Sequence, residues 1–417
     1  MPALLLAFAL AASAGPRALS CPQDVPIIRN AETLSAALSG VAKTLWVSGT
    51  IVGDFEAERS VSIRGCENAV LRGTGGGTVL RLVGDDITVR DITMEHSGER
   101  VSAEDGALKV RGQRALVEYV AVRDTLYGIA FEQCHSCTLR HSRIEGRADI
   151  PENQRGDGIK LWEAHGSFVQ GNVVTGVRDV VVWYSRHVTL EDNRIRGGRY
   201  GTHFMYAHDT IIRRSVLRDN TVGIFVMYSE RVTAEDNELS GARGPAGMGI
   251  GFKESDAVTL RRNQLVANTV GTYLDYTPRD PSKPVLFERN AFALNNIALR
   301  THASERGAHF LHNDFRGNDT LVEVDGNGDA LGVEFAGNHW DSYAGYDLDQ
   351  SGVGDVAFQV KQAATTLSAA HPSLQFFRGT AAMGLYDAVA LALPYFGTRL
   401  ILEDKTPTML PHRELLP

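Results

Sequence analysis

The sequence predicts an all-β fold, a right-handed parallel β-helix with a short helical C-terminal segment. Three observations predict it. Words of the form apolar-x-apolar-x-x-Asn-x-apolar recur every 21–27 residues, running through Asn172, Asn193, Asn237, Asn263, Asn290, Asn313 and Asn338, with Ser215 standing in once. Between them lie alternating, β-branched runs broken by Gly, Asn and Asp, without a helical period. A unit of this size cannot bury its own apolar face, so identical units must stack to bury it together.

The chain opens on MPALLLAFALAASAGP, an apolar run followed by the small-residue site Ala12-Ser13-Ala14. That reads as a secretory signal over residues 1–14, although no Lys or Arg precedes the run. Residues 15–59 are expected to form an N-terminal cap with the first strands, and 60–345 the β-helix. Residues 346–417 should supply a loop, short helices and an extended tail. A formal charge of −8, with no basic run, argues against a nucleic-acid partner. After the signal, no stretch reaches the roughly 18 apolar residues that span a bilayer. Four cysteines in an exported chain point to disulfides. Cys134 can pair with Cys137 across a short loop, or Cys21 with Cys66 across the cap.

Within the repeat, the Asn column falls at a bend, where each side-chain amide can bond its neighbours along the axis. Strand parity then sorts the residues after each turn glycine. Ile159/Leu161, Val180/Val182, Thr202/Phe204, Ile224/Val226, Ile250/Phe252 and Thr272/Leu274 should point inward. Lys160/Trp162, Val181/Trp183, His203/Met205, Phe225/Met227, Gly251/Lys253 and Tyr273/Asp275 should point outward. An outer wall carrying Trp162, Trp183 and Phe225 is a candidate interface, unless a terminal segment covers it. His203, Met205 and Met227 are candidate ligands for a Cu(I) ion, with Trp183 adjacent, because imidazole and thioether are soft donors. Surface methionines also serve as adaptable protein contacts.

Several words resemble the NosD family of nitrous oxide reductase maturation. They are RGDGIKLW (155–162), GRYGTHFMYAHD (198–209), VGIFVMYSE (222–230), GIGFKESD (249–256) and GNHWDSYAGYDLDQSGVGDVAF (337–358). The resemblance covers about residues 30 to 410, and its last word is the most specific. It implies a periplasmic accessory protein and no catalytic residues. It implies as partners an ABC transporter of permease NosY and ATPase NosF. It further implies the lipoprotein NosL as copper donor and the reductase NosZ as recipient, with copper as a transient cargo.

Two regions carry further expectations. YDLDQSGVGD (346–355) places Asp347, Asp349, Ser351 and Asp355 at positions 1, 3, 5 and 9 of a calcium-loop pattern. Phe358 sits where a bidentate Glu belongs, so the alternative is a turn held by Asx bonds. From residue 361 an Ala/Leu-rich stretch reads as short helices split at Pro372 and Gly379, able to cap the open end or to dock on a permease. Deleting residues 380–417 is expected to leave the β-helix folded. The alternative function is a β-helix lyase or epimerase acting on uronic-acid polymers, an analogy of fold alone. Its best acid–base cluster would be Asp157 and Lys160 with Arg155 nearby, and Lys253 and Asp275 lie further along.

Overall fold

A computed structural model describes residues 14–302, 306–325, 328–363, 371–377, 380–393 and 398–415. The expected signal segment before Ala14 lies outside them. The chain divides into two compact units, one running to Phe225 and one starting at Val226. Each unit is a stretch of parallel β-helix.

Every complete turn of the first unit lays down three strands. Asp179–Trp183, Thr189–Glu191 and Arg194–Arg196 make one turn. Each pairs in parallel with its counterpart a turn earlier and a turn later. The second unit repeats the plan, for example with Ile297–His302, Ala308–Leu311 and Asp314–Arg316. Parallel pairing is already present upstream of residue 60, where Thr44–Val52 pairs with Ser62–Arg72.

The bend before the third strand explains the Asn words. The residue preceding each bend Asn or Ser is left-handed: Asp192 (φ 57°), Arg214 (φ 48°), Asp236 (φ 57°), Arg262 (φ 52°), Arg289 (φ 54°) and His312 (φ 56°). That conformation turns the chain sharply and leaves backbone groups unpaired, which the next residue's amide then satisfies. Asn263 Oδ1 accepts from the backbone N–H and the side-chain amide of Asn237, both at 3.0 Å. Its Nδ2 donates to Ala234 O at 2.8 Å and to Asn290 Oδ1 at 3.0 Å. Asn290, Asn313 and Asn338 continue the same pattern. A second column, Asn268–Asn295–Asn318, runs parallel to it.

The inward set is buried throughout, from Ile159 and Leu161 to Thr272 and Leu274. In the second unit two rows of stacked rings fill the coil. Phe287 stacks on Phe310 at 4.1 Å, and Phe315 lies between Phe292 at 4.9 Å and Trp340 at 4.2 Å. Such pairs add roughly 0.5–1.5 kcal/mol each beyond area burial.

Both ends are closed. At the N-terminal end, helix Ala31–Ser39 is capped by Asn30, whose side chain accepts from Thr33 N at 2.9 Å, and it buries Leu34 and Leu38. Ahead of it, an extended strap runs along successive turns. Gly15 N donates to His141 O at 2.8 Å, Arg17 pairs with Asp91 at 2.8 Å beneath the Tyr119 ring, and Leu19 O accepts from Glu67 N. The strap ends in the Cys21–Cys66 disulfide, and Cys134–Cys137 forms as well.

At the other end, Phe358–Gln362 pairs antiparallel with Arg399–Asp404. Asp404 finishes the Asn column by accepting from Asn338 Nδ2 at 2.9 Å and from Trp340 Nε1 at 3.1 Å. This corrects the expectation that residues 380–417 are dispensable, because cutting there removes the cap. Short helices do flank Gly379, namely Pro372–Phe377 and Ala381–Ala392. Among the described residues no helix is long and apolar enough to cross a membrane.

Candidate functional site

On Tyr200–Met205 the inward residues Thr202 and Phe204 are fully buried, which leaves His203 and Met205 on the outer wall. In register, Val181 lies opposite His203 and Trp183 opposite Met205, while Trp162 lies opposite Trp183. Met205 and Trp183 are half-buried, and Trp183 Nε1 makes no hydrogen bond among the described residues.

His203 lies outside the coil yet is only 7% exposed. Rings from the same face enclose it. The Tyr200 ring lies 4.8 Å away, the Trp183 edge 5.7 Å and Phe225 6.1 Å, and Tyr200 stacks on Phe225 at 5.5 Å. Tyr200 is held in turn by its backbone N–H, which donates to Asp179 Oδ1 at 3.1 Å, and by the Arg199 guanidinium 4.7 Å from its ring. Burial pushes the His203 imidazole down to about 4; Arg199 pushes the same way and Asp179 opposes it. The imidazole is therefore neutral at any ordinary periplasmic pH.

Phe225 is half-buried on this wall in the first unit, and Met227 is half-buried in the second. Trp162 is 38% exposed and begins a row that strand parity alone does not mark. Its ring lies 5.8 Å from Tyr184, which stacks on Tyr206 at 5.2 Å; the two tyrosines are 43% and 41% exposed. Tyr184, Tyr206 and Tyr228 all take left-handed conformations at the end of their strands. The signal was in the sequence as the dipeptides WY (183–184) and MY (205–206, 227–228).

The second unit carries a polar cluster on its outer wall. His302 Nε2 lies 3.2 Å from the Tyr273 hydroxyl and 3.3 Å from Asp275, and Lys253 lies 3.9 Å from Asp275. Lys253 and Asp275 were legible from parity; His302 follows a rung of different length and was not. In the 346–355 loop the carboxylates accept from backbone amides. Asp347 takes Ser351 N and Gly352 N, Asp349 takes Ser351 N, and Asp355 takes Leu348 N at 2.7 Å. Among the described residues no three His, Cys, Asp or Glu side chains gather as a metal cluster.

The fold and this face define a solenoid protein, a parallel β-helix whose outer wall concentrates sulfur, imidazole and aromatic side chains. The chain resembles proteins of the NosD family. The family model described as "Periplasmic copper-binding protein (NosD)" matches residues 141–345, and the chain is periplasmic. It is 24% identical, over 99% of its length and 94% of the relative's, to the "Probable ABC transporter binding protein NosD" of Stutzerimonas stutzeri. The Pseudomonas aeruginosa protein of the same description is 28% identical over 32% of this chain and 31% of its own. Among solved structures, the Azotobacter vinelandii mannuronan C-5 epimerase AlgE4 A-module shares the fold at 14% identity. Its TM-score is 0.54, covering 73% of this chain and 93% of that one.

Proposed function

We propose that this chain is the periplasmic subunit of an ABC transporter assembly that supports copper-centre formation in nitrous oxide reductase. It would act as a docking and copper-handover platform. The permease NosY, the ATPase NosF, the copper lipoprotein NosL and the reductase NosZ are the proposed partners. One observation carries the reading: a half-buried thioether, Met205, shares its strand face with a neutral imidazole, His203, which keeps one ring nitrogen unprotonated. Thioethers stay unprotonated at all working pH values, and a few weak soft donors suit exchange between carriers better than a closed thiolate cage. Met227 supplies a further thioether from the same sequence column. Trp162, Trp183 and Phe225, with the Tyr184–Tyr206 row, form the protein-binding surround; exposed Trp and Tyr are the residues that dominate such interfaces.

The C-terminal helix provides the transporter contact. Leu385, Val389 and Leu393, spaced four residues apart, are 67%, 41% and 45% exposed, while Met383 and Ala390 on the same segment are buried. A helix that keeps a second apolar stripe in water has a face to give to a partner.

The test is a Cu(I) titration of the full periplasmic chain against a competing chromophoric chelator. Met205→Leu with Met227→Leu keeps volume and apolarity, so it separates ligation from packing. Binding at least about tenfold weaker than wild type supports the reading. Unchanged Cu(I) affinity together with full reductase maturation refutes the copper role.

A further inference from the structure

The first unit also encloses a small cavity of about 10 Å³ beneath the loop after Gly98. Its outer-wall column is Lys109, Ala130 and Lys160, which lie opposite one another on three consecutive turns. Two ammonium groups thus flank a position that carries only a methyl group. Both are engaged by one loop tip. Lys160 Nζ, almost wholly buried, donates to Glu104 Oε1 at 2.7 Å, and Lys109 Nζ donates to Ala103 O at 2.8 Å. The tip itself projects outward, with Val101 58% exposed. Its base is fixed: Gly98 N donates to Gly77 O, and Arg100 grips the buried Asp105 through backbone and side chain.

The same cavity also presents an acceptor. Asp157 is buried and lines the same cavity. Its Oδ1 takes two hydrogen bonds from Arg178, at 3.0 and 2.8 Å, while its Oδ2 receives none among the described residues. Tyr127 lines the cavity beside it.

We infer that Lys160, Lys109 and Asp157 form a second ligand site, for a hydroxylated carboxylate of the sugar-acid class, which Glu104 occupies as an internal stand-in. A carboxylate is the chemistry Lys160 already holds. Withdrawing Glu104 leaves a buried cation without its counter-charge, a costly state that an incoming anion relieves. The hydroxyl requirement comes from Asp157. A ligand that brought only acceptors, such as an acidic side chain, would set a carboxylate near Asp157 with nothing to donate. A sugar acid supplies both parts. The cavity holds no more than a water molecule with the tip in place, so binding requires Val101–Glu104 to swing away while Gly98 and Asp105 stay anchored. This site shares no proposed ligand with the copper face; the two touch only where Lys160 Nζ lies 4.8 Å from the Trp162 ring centre.

Calorimetric titration of the full chain with D-galacturonate tests it, with glucose and a hexaglutamate peptide as comparisons. Glu104→Gln keeps the length of the tip and removes its charge. It should bind galacturonate about tenfold tighter than wild type. Lys160→Met should abolish that gain in the Glu104→Gln background, and Lys109→Met, at a less buried position, should weaken it if Lys160→Met fails to fold. Selective binding of galacturonate supports the site. No gain in Glu104→Gln overturns it, as does equal binding of hexaglutamate or of glucose.

Discussion

Replacing Asn263 with leucine measures what the Asn column is worth. The side chain is fully buried and makes four hydrogen bonds. Leucine removes all four. Asn290 Oδ1 keeps the backbone N–H of residue 263, at 2.9 Å, so it is not stranded. The Asn237 backbone N–H loses the acceptor that Asn263 Oδ1 supplies. A buried donor that loses its acceptor costs roughly 1–3 kcal/mol, and the weakened Asn237 amide and Ala234 carbonyl each add about 1 kcal/mol. The sum is roughly 3–5 kcal/mol, a large part of the 5–15 kcal/mol typical of a folded domain. The protein contains its own control. At Ser215 the same column uses a hydroxyl, which accepts from Asn193 N at 3.2 Å and donates to Arg213 O at 3.1 Å. Asn263→Ser therefore keeps the critical acceptor and should cost only about 1–2 kcal/mol. Urea unfolding followed by circular dichroism, with the slope unchanged between variants, gives both values. A leucine variant within about 1 kcal/mol of wild type, or a serine variant as damaging as leucine, would refute the ladder argument.

Three other outcomes follow from the geometry. His203, whose folded value near 4 lies below the ordinary 6.5, contributes stability that is present above the unfolded value and lost as pH falls through the folded one. Wild type should thus lose up to roughly 3 kcal/mol more than His203→Phe between pH 6.5 and 4, read from urea midpoints; parallel pH curves would show the imidazole is not held neutral. By the same logic, Cu(I) affinity should be flat from pH 8 to 5, and a tenfold fall over that range would mean His203 is exposed to protons when it binds. Leu385→Glu with Val389→Glu should leave thermal unfolding of the β-helix unchanged and abolish co-purification of the permease and ATPase; retained capture would move the transporter contact elsewhere.

Much of the architecture was legible because a stacked fold repeats its constraints. The Asn words and the inward apolar pairs both follow from alternation and a bend that recurs in each turn. The second Asn column was as visible as the first, since Asn268, Asn295 and Asn318 each follow a bend Asn by five residues. What parity could not give is lateral packing on the outer wall. It places His203 outside the coil, and the structure agrees, but its burial depends on Tyr200 and Phe225 leaning across from neighbouring positions. Nor could local pattern show that residues 399–404 return as a strand, because Asp404 finds its partners 64 and 66 residues away. The Glu104–Lys160 pair, 56 residues apart, was hidden for the same reason.

Strand parity also separates what the fold needs from what the site needs. On Tyr200–Met205, Thr202 and Phe204 belong to the coil, and His203 and Met205 to the wall. Changing the wall leaves the inward rows and the Asn columns untouched, so outer residues are free to diverge while the solenoid persists. That accounts for a shared fold at 14% identity with an epimerase module, where only the pattern of inward apolar residues and bends must agree. The NosD likeness has a different physical content. Its words, such as GRYGTHFMYAHD, run through the outer wall and the left-handed Tyr206 turn, positions where the coil itself asks for little. Residues that the solenoid does not require are the ones whose identity must be explained by what the protein touches.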